Sequence, residues 1–136
     1  MRWACCLMFW LSATLPPGHA QSADAPPPSF VNTLTAALAQ ENMAAVLNRA
    51  ADRVNVSVNG SHSVYSRQQA THVLQAFVDR HPAQQVVVQT VRWMDARGLL
   101  VARYERRRGP PLTFYLRFQK RDRTWRLDAL HVVPPR

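Results

Sequence analysis

VNVSVNGSHSVYSRQQATHVLQAFV, residues Val54 to Val78, is the stretch on which the fold turns. Val54, Val56 and Val58 alternate with Asn55 and Ser57, the period of a half-buried strand. Asn59-Gly60 follows, a pair that tolerates positive φ and marks a tight hairpin, so a short return strand is expected. At Ser66 the pattern changes. The Ser66 hydroxyl can accept from the backbone N–H three residues on, and Gln69 can reach back to the Ser66 N–H, which makes a capping box. Ala70, Val73, Leu74, Phe77 and Val78 then recur at helical spacing and give the helix one apolar stripe. His81-Pro82 ends it, because a residue before proline is pushed out of the α region.

Upstream, Phe30, Val31, Leu34 and Leu38 predict an amphipathic first helix, and Asn42 can cap a short second one carrying Met43, Val46 and Leu47. Residues 1–20 have the pattern of an export leader: Arg2, an apolar run from Trp3 to Leu15, and small residues ending at Ala20. Cys5 and Cys6 lie inside that run, so the mature chain is expected to carry no thiol and to be periplasmic or secreted. Residues 21–29, with three successive prolines, read as a tether, and residues 30–136 as one domain.

Downstream of Pro82, Gln85 to Met94, Leu99 to Arg106, Leu112 to Lys120 and Arg123 to Val133 read as four strands joined by turns. Helices first and a meander afterwards predict an α+β fold, with helices packed on one face of a curved antiparallel sheet in the order α-α-β-β-α-β-β-β-β.

That order, with D-R-V-N-V, V-Y-S-R-Q-Q-A and V-L-Q-A-F followed by four strands ending W-R-L-D-A-L-H-V, resembles the nuclear transport factor 2-like superfamily. More narrowly, Tyr65, Ser66, Arg67, Gln69 and Ala70 are similar to the helix start of a bacterial family of exported domains of unknown function. The resemblance covers nearly all of residues 30–133 and implies a cone-like fold. It implies no single activity, since the superfamily holds isomerases, dehydratases, binding proteins and assembly domains.

Catalytic groups are not indicated. Enzymes of that superfamily place an Asp, His or Tyr inside the cone, yet the first helix here has none of these. Asp24, Glu41, Asp52, Asp79, Asp95 and Asp122 fall in the tether, at element ends or in turns, while Glu105 and Asp128 point away from the apolar face by alternation. His62, His72, His81 and His131 offer no pair at metal-ligand spacing on one element, so no metal and no cofactor is expected. No phosphate loop or nucleophile motif is present.

Parity assigns Val87, Val91, Trp93, Leu100, Ala102, Tyr104, Leu112, Phe114, Leu116, Phe118, Trp125 and Leu127 to the inner face. Trp93, Tyr104 and Trp125 are large enough to line a pocket at the cone mouth, the basis of an alternative reading as a small-molecule binder or enzyme. On the outer face, pairing Met94 with Leu99, Arg106 with Leu112 and Lys120 with Arg123 sets Arg92 opposite Val101, Val101 opposite Arg117 and Arg117 opposite Arg126. Arg103 lies one row away. Such a row holds an anion between guanidinium groups or splays into solvent, with Glu105 and Asp128 able to neutralise part of it.

The net charge of +9, with Lys120 the only lysine among seventeen basic residues, agrees with an acidic partner. The expected function is therefore an exported, non-enzymatic binding or assembly domain. Its basic sheet face, Arg92, Arg103, Arg117 and Arg126, would meet an anionic envelope component or an acidic protein. Nucleic acid is not the expected native partner of an exported chain. Homodimerisation through the outer sheet face, with Val86, Val88 and Val101 in contact, is the third expectation.

Overall fold

The computed structural model describes residues 25–135. The leader, and the tether before Ala25, lie outside the described residues. Helix α1 spans Pro28–Ala39 and takes in two residues expected in the tether; Pro28 suits the first turn, where its missing N–H is not needed. Asn42 caps α2, Met43–Val46, by accepting from the Ala45 N–H at 3.1 Å, and a 3-10 turn, Leu47–Arg49, leads into the sheet.

Strands β1 (Ala50–Val58) and β2 (Ser61–Ser66) form the expected hairpin, with Asn59 at φ 52 and Gly60 at φ 80. The capping box is in place: the Gln69 N–H donates to Ser66 Oγ at 3.2 Å, and the Ser66 N–H donates to Gln69 Oε1 at 3.3 Å. Helix α3, Arg67–Arg80, follows. Then come β3 (Ala83–Met94), β4 (Arg97–Arg106), β5 (Leu112–Arg121) and β6 (Thr124–Val133).

The six strands lie in the order β2-β1-β6-β5-β4-β3. All neighbours are antiparallel except β1 and β6, which run parallel, so the sheet is mixed rather than purely antiparallel. The two edge strands, β2 and β3, are the ones α3 joins, so the helix must cross one face of the sheet from edge to edge. Its fourteen residues reach ~21 Å, close to the span of the sheet between those edges. The core fills the space between the helices and the inner sheet face, where Leu38, Met43, Leu74, Val78, Phe114, Leu116, Phe118 and Leu127 are buried.

The register departs from expectation at three places. The turns at Asp95-Ala96 and Asp122-Arg123 hold two residues each, pairing Met94 with Arg97 and Arg121 with Thr124. Tyr104, not Arg106, pairs with Leu112. A bulge between Val88 and Thr90 reverses the parity of β3, so Val86 and Val88 face inward, whereas Val87 stands opposite Arg103 on the outer face. Val91 shares the inner face with its partner Leu100, yet stays exposed because β3 is an edge. Val86 and Val88 therefore offer no contact on the outer face; Val101 does.

Candidate anion-binding site

The four arginines expected in one row are staggered. Arg92 is opposite Leu99, which is opposite Arg117; Arg103 lies between Val87 and Thr113; Arg126 pairs with Gln119. The two-residue turns shift β3 and β6, which sets Arg126 opposite Gln119, and a second bulge between Arg117 and Phe118 sets Ala129 opposite Arg117. No two of these arginines stand directly opposite each other. Two have carboxylates on their own face: Arg103 Nε lies 3.4 Å from Glu105 and Arg117 Nε 3.6 Å from Asp128. Half-exposed pairs like these add ~0–1 kcal/mol each, but they lower the charge the middle of the sheet presents.

The cations gather instead at one end of the sheet. There a cleft of about 510 Å³ is lined by Arg49, Arg67, Lys120, Arg123 and Arg126, and no carboxylate appears among its lining residues. Four different elements deliver them. Arg49 closes the 3-10 turn, Arg67 opens α3, Lys120 lies one residue before the end of β5 with Arg123 in the turn beyond, and Arg126 leaves on β6. Ala25, Pro26 and Pro27 of the tether form one wall.

Aromatic rings hold two of these cations. Arg49 Cζ lies 5.1 Å from the centre of Phe30, and Lys120 Nζ 5.8 Å from Trp125. The rings belong to a packed set: Phe30 meets Phe118 at 5.4 Å and Trp93 at 5.9 Å, and Trp93 meets Trp125 at 4.9 Å. Trp93 lies over Gly98, where a Cβ would collide with the indole, so the glycine makes room for the cluster. Arg67 directs one terminal nitrogen to Asp52 Oδ1 at 3.3 Å, while its Nε is shielded from water without a hydrogen-bond partner. Guanidinium forks set around a shallow aromatic floor suit phosphate or carboxylate and supply no general base or nucleophile.

Tyr104 belongs to the other end. Gly98 sits under Trp93, and Tyr104 is six residues further along β4, ~20 Å away. Its hydroxyl donates to the His81 carbonyl at 2.6 Å, and its ring stacks on Phe114 at 4.9 Å. Burial pushes the phenol well above its ordinary range, with Glu41 adding to the rise. Arg106 reaches His81 Nδ1 at 3.1 Å, Glu41 accepts from the Ala83 N–H at 2.7 Å, and Gln75 donates to both the Glu41 carbonyl and Asp79. His81 is held below its usual value by burial first, then by Arg106 and Arg80. Trp93 and Trp125 are thus brought together, and Tyr104 is not with them.

Of the expected anion residues, Arg126 alone lines the cationic cleft. Arg49, Arg67, Lys120 and Arg123 are absent from the reading of the sequence because they are spread over four elements. The one local signal was the run Lys120-Arg121-Asp122-Arg123 at a turn.

A family model described as "Domain of unknown function (DUF4783)" matches residues 31–132. No curated protein matches the chain. Among solved structures, a DUF4783 family protein from Bacteroides uniformis superposes with a TM-score of 0.72 at 13% identity, covering 77% of this chain and 96% of that one. A putative calcium/calmodulin-dependent protein kinase type II association domain from Thiobacillus denitrificans gives a TM-score of 0.62 at 12% identity, covering 82% and 97%. A nuclear transport factor 2-like protein of unknown function from Cytophaga hutchinsonii gives 0.54 at 14% identity, covering 77% and 86%. At these identities the likeness concerns the fold, and it agrees with the cone-like architecture.

Proposed function

The chain belongs to the DUF4783 family of domains of unknown function, and we propose that this member is an exported, non-catalytic module that binds phosphate-bearing envelope lipid through its end cleft. The observation that carries this reading is the lining of that cleft: five basic side chains, two of them set on aromatic rings and one, Arg67, shared with Asp52, while no carboxylate belongs to the lining itself. A concave site of about 510 Å³ suits a head group better than the flat surface of an acidic protein. Each basic residue close to an anionic surface contributes ~1 kcal/mol to attachment, so the cluster suffices for reversible binding.

The test is co-sedimentation with vesicles of phosphatidylglycerol against vesicles of phosphatidylcholine, repeated in rising salt. Binding confined to the anionic vesicles, lost on replacing Arg49, Arg123 and Arg126 together by Ser, and kept when Arg92, Arg103 and Arg117 are replaced, is the expected result. Attachment indifferent to the first triple change would overturn it. Capture of an acidic peptide without vesicle binding would move the partner to the protein class.

A second reading, assembly, is favoured by one observation. Among the described residues no helix covers the outer sheet face, and Tyr115, 39% exposed, borders a hollow of about 190 Å³ with Leu99, Arg117, Ala129 and His131. Structural neighbours from Thiobacillus denitrificans and Xanthomonas campestris are named as association domains. Sedimentation velocity should then show a dimer that Tyr115→Glu dissolves; a monomer at high concentration would sink this reading.

A further inference from the structure

The outer face carries a second constellation, unrelated to the cationic cleft. Strand β1 lies between β2 and β6, and Ser57 is the partner of His62 on one side and of His131 on the other. Partners in register project to the same face, so the three residues form one row. The two histidines stand two strands apart, ~9.6 Å between backbones, with only a serine side chain between them. They close that gap: their ring centroids are 5.7 Å apart and their planes 89° to each other.

That separation has a chemical meaning. Metal–nitrogen bonds of ~2.0–2.1 Å set the ring centres of two imidazoles sharing one ion ~4.5–6.3 Å apart, from a right angle to a straight line at the ion, and the observed separation falls in that range. The Nε2 atom of His131 is shielded from solvent and has no hydrogen-bond partner. A shielded ring nitrogen left without a partner is unfavourable, and a bound ion relieves that cost. Arg117 borders the same hollow as His131, and Asp128, 3.6 Å from its Nε, offsets its charge.

We propose that His62 and His131 form a two-imidazole site for a late first-row divalent ion, Cu(II) before Ni(II) or Zn(II), on the outer sheet face. Copper leads because imidazole sites follow the usual order of divalent affinity. No group of three or more His, Cys, Asp or Glu side chains is placed to hold an ion among the described residues. The remaining coordination positions therefore fall to water or to an outside ligand, and the site is open and exchangeable rather than structural. Sequence spacing could not reveal it, because its ligands come from β2 and β6, which only the parallel β1–β6 pairing brings within reach.

The experiment is a titration of the untagged full chain with CuCl2, followed by amide and imidazole NMR signals. These localise the ion whatever the leader's own Cys5, Cys6 and His19 do. Paramagnetic broadening centred on Ser57, His62 and His131 is expected, with ZnCl2 shifting the same imidazole signals at higher concentration. His62→Ala, at an exposed position that leaves the fold intact, should abolish broadening around Ser57 and His131. His131→Gln should do the same. Broadening centred elsewhere, or unchanged in His62→Ala, would overturn the proposal.

Discussion

At the Tyr104 end of the sheet, polar groups reach partners inside the fold: the phenol bonds the His81 carbonyl, Glu41 takes the Ala83 N–H, and Arg106 meets His81. At the Trp125 end, Arg49 and Lys120 rest on aromatic rings beside an open cleft that Arg123 and Arg126 also line. A polar group that already has its partner stabilises the fold; one held out beside a hollow has capacity left for a ligand. The first end is thus internally satisfied, and the second is the one for which a recognition role is proposed.

Four experiments can break or sharpen this contrast. Tyr104→Ala removes a fully buried aromatic ring and should cost about 3–5 kcal/mol in urea unfolding, with no change in vesicle affinity of the folded protein. Lost binding at unchanged stability would reverse the assignment. Replacing Arg49, Arg123 and Arg126 together should do the opposite, weakening phosphatidylglycerol binding by about 3 kcal/mol while stability stays within about 0.5 kcal/mol per site.

Smaller effects test the details. Ser66→Ala removes the capping box beside Arg67 and should cost about 1 kcal/mol of stability, read from the thermal midpoint. The pH profile gives the last test. His81 binds its proton less readily in the fold than its ordinary value of 6.5, so the unfolded chain takes up more protons as the medium is acidified. Stability from this residue is complete above 6.5 and is lost as pH falls through the lower folded value. His131 has the same sign. Urea midpoints measured from pH 7.5 downward should decline below 6.5, and His81→Gln should flatten the decline.

Much of the fold was legible along the chain. The capping box at Ser66, the Asn59-Gly60 turn and the helix stop before Pro82 stand where spacing placed them. The inner-face residues of β4 and β5 were also legible, because those strands alternate without a bulge between Leu112 and Arg117. The site was not. A bulge adds one residue to one strand, leaves no compositional mark, and turns every later side chain to the other face. Such a shift carried Val86 and Val88 inward, while the two-residue turn that pairs Arg121 with Thr124 took Arg126 out of the expected row.

By itself the sequence determined the order and kind of the elements, where α3 begins and which residues are apolar enough to be covered, since caps, turns and periodicity act over a few neighbouring residues. Tertiary structure decided what those elements bring together. Arg49, Arg67 and Arg123 share a cleft, and His62 meets His131, only because β1 pairs in parallel with β6 and α3 joins opposite edges of the sheet. Strand pairing across that distance in the chain depends on burying one common core, and no local pattern encodes it.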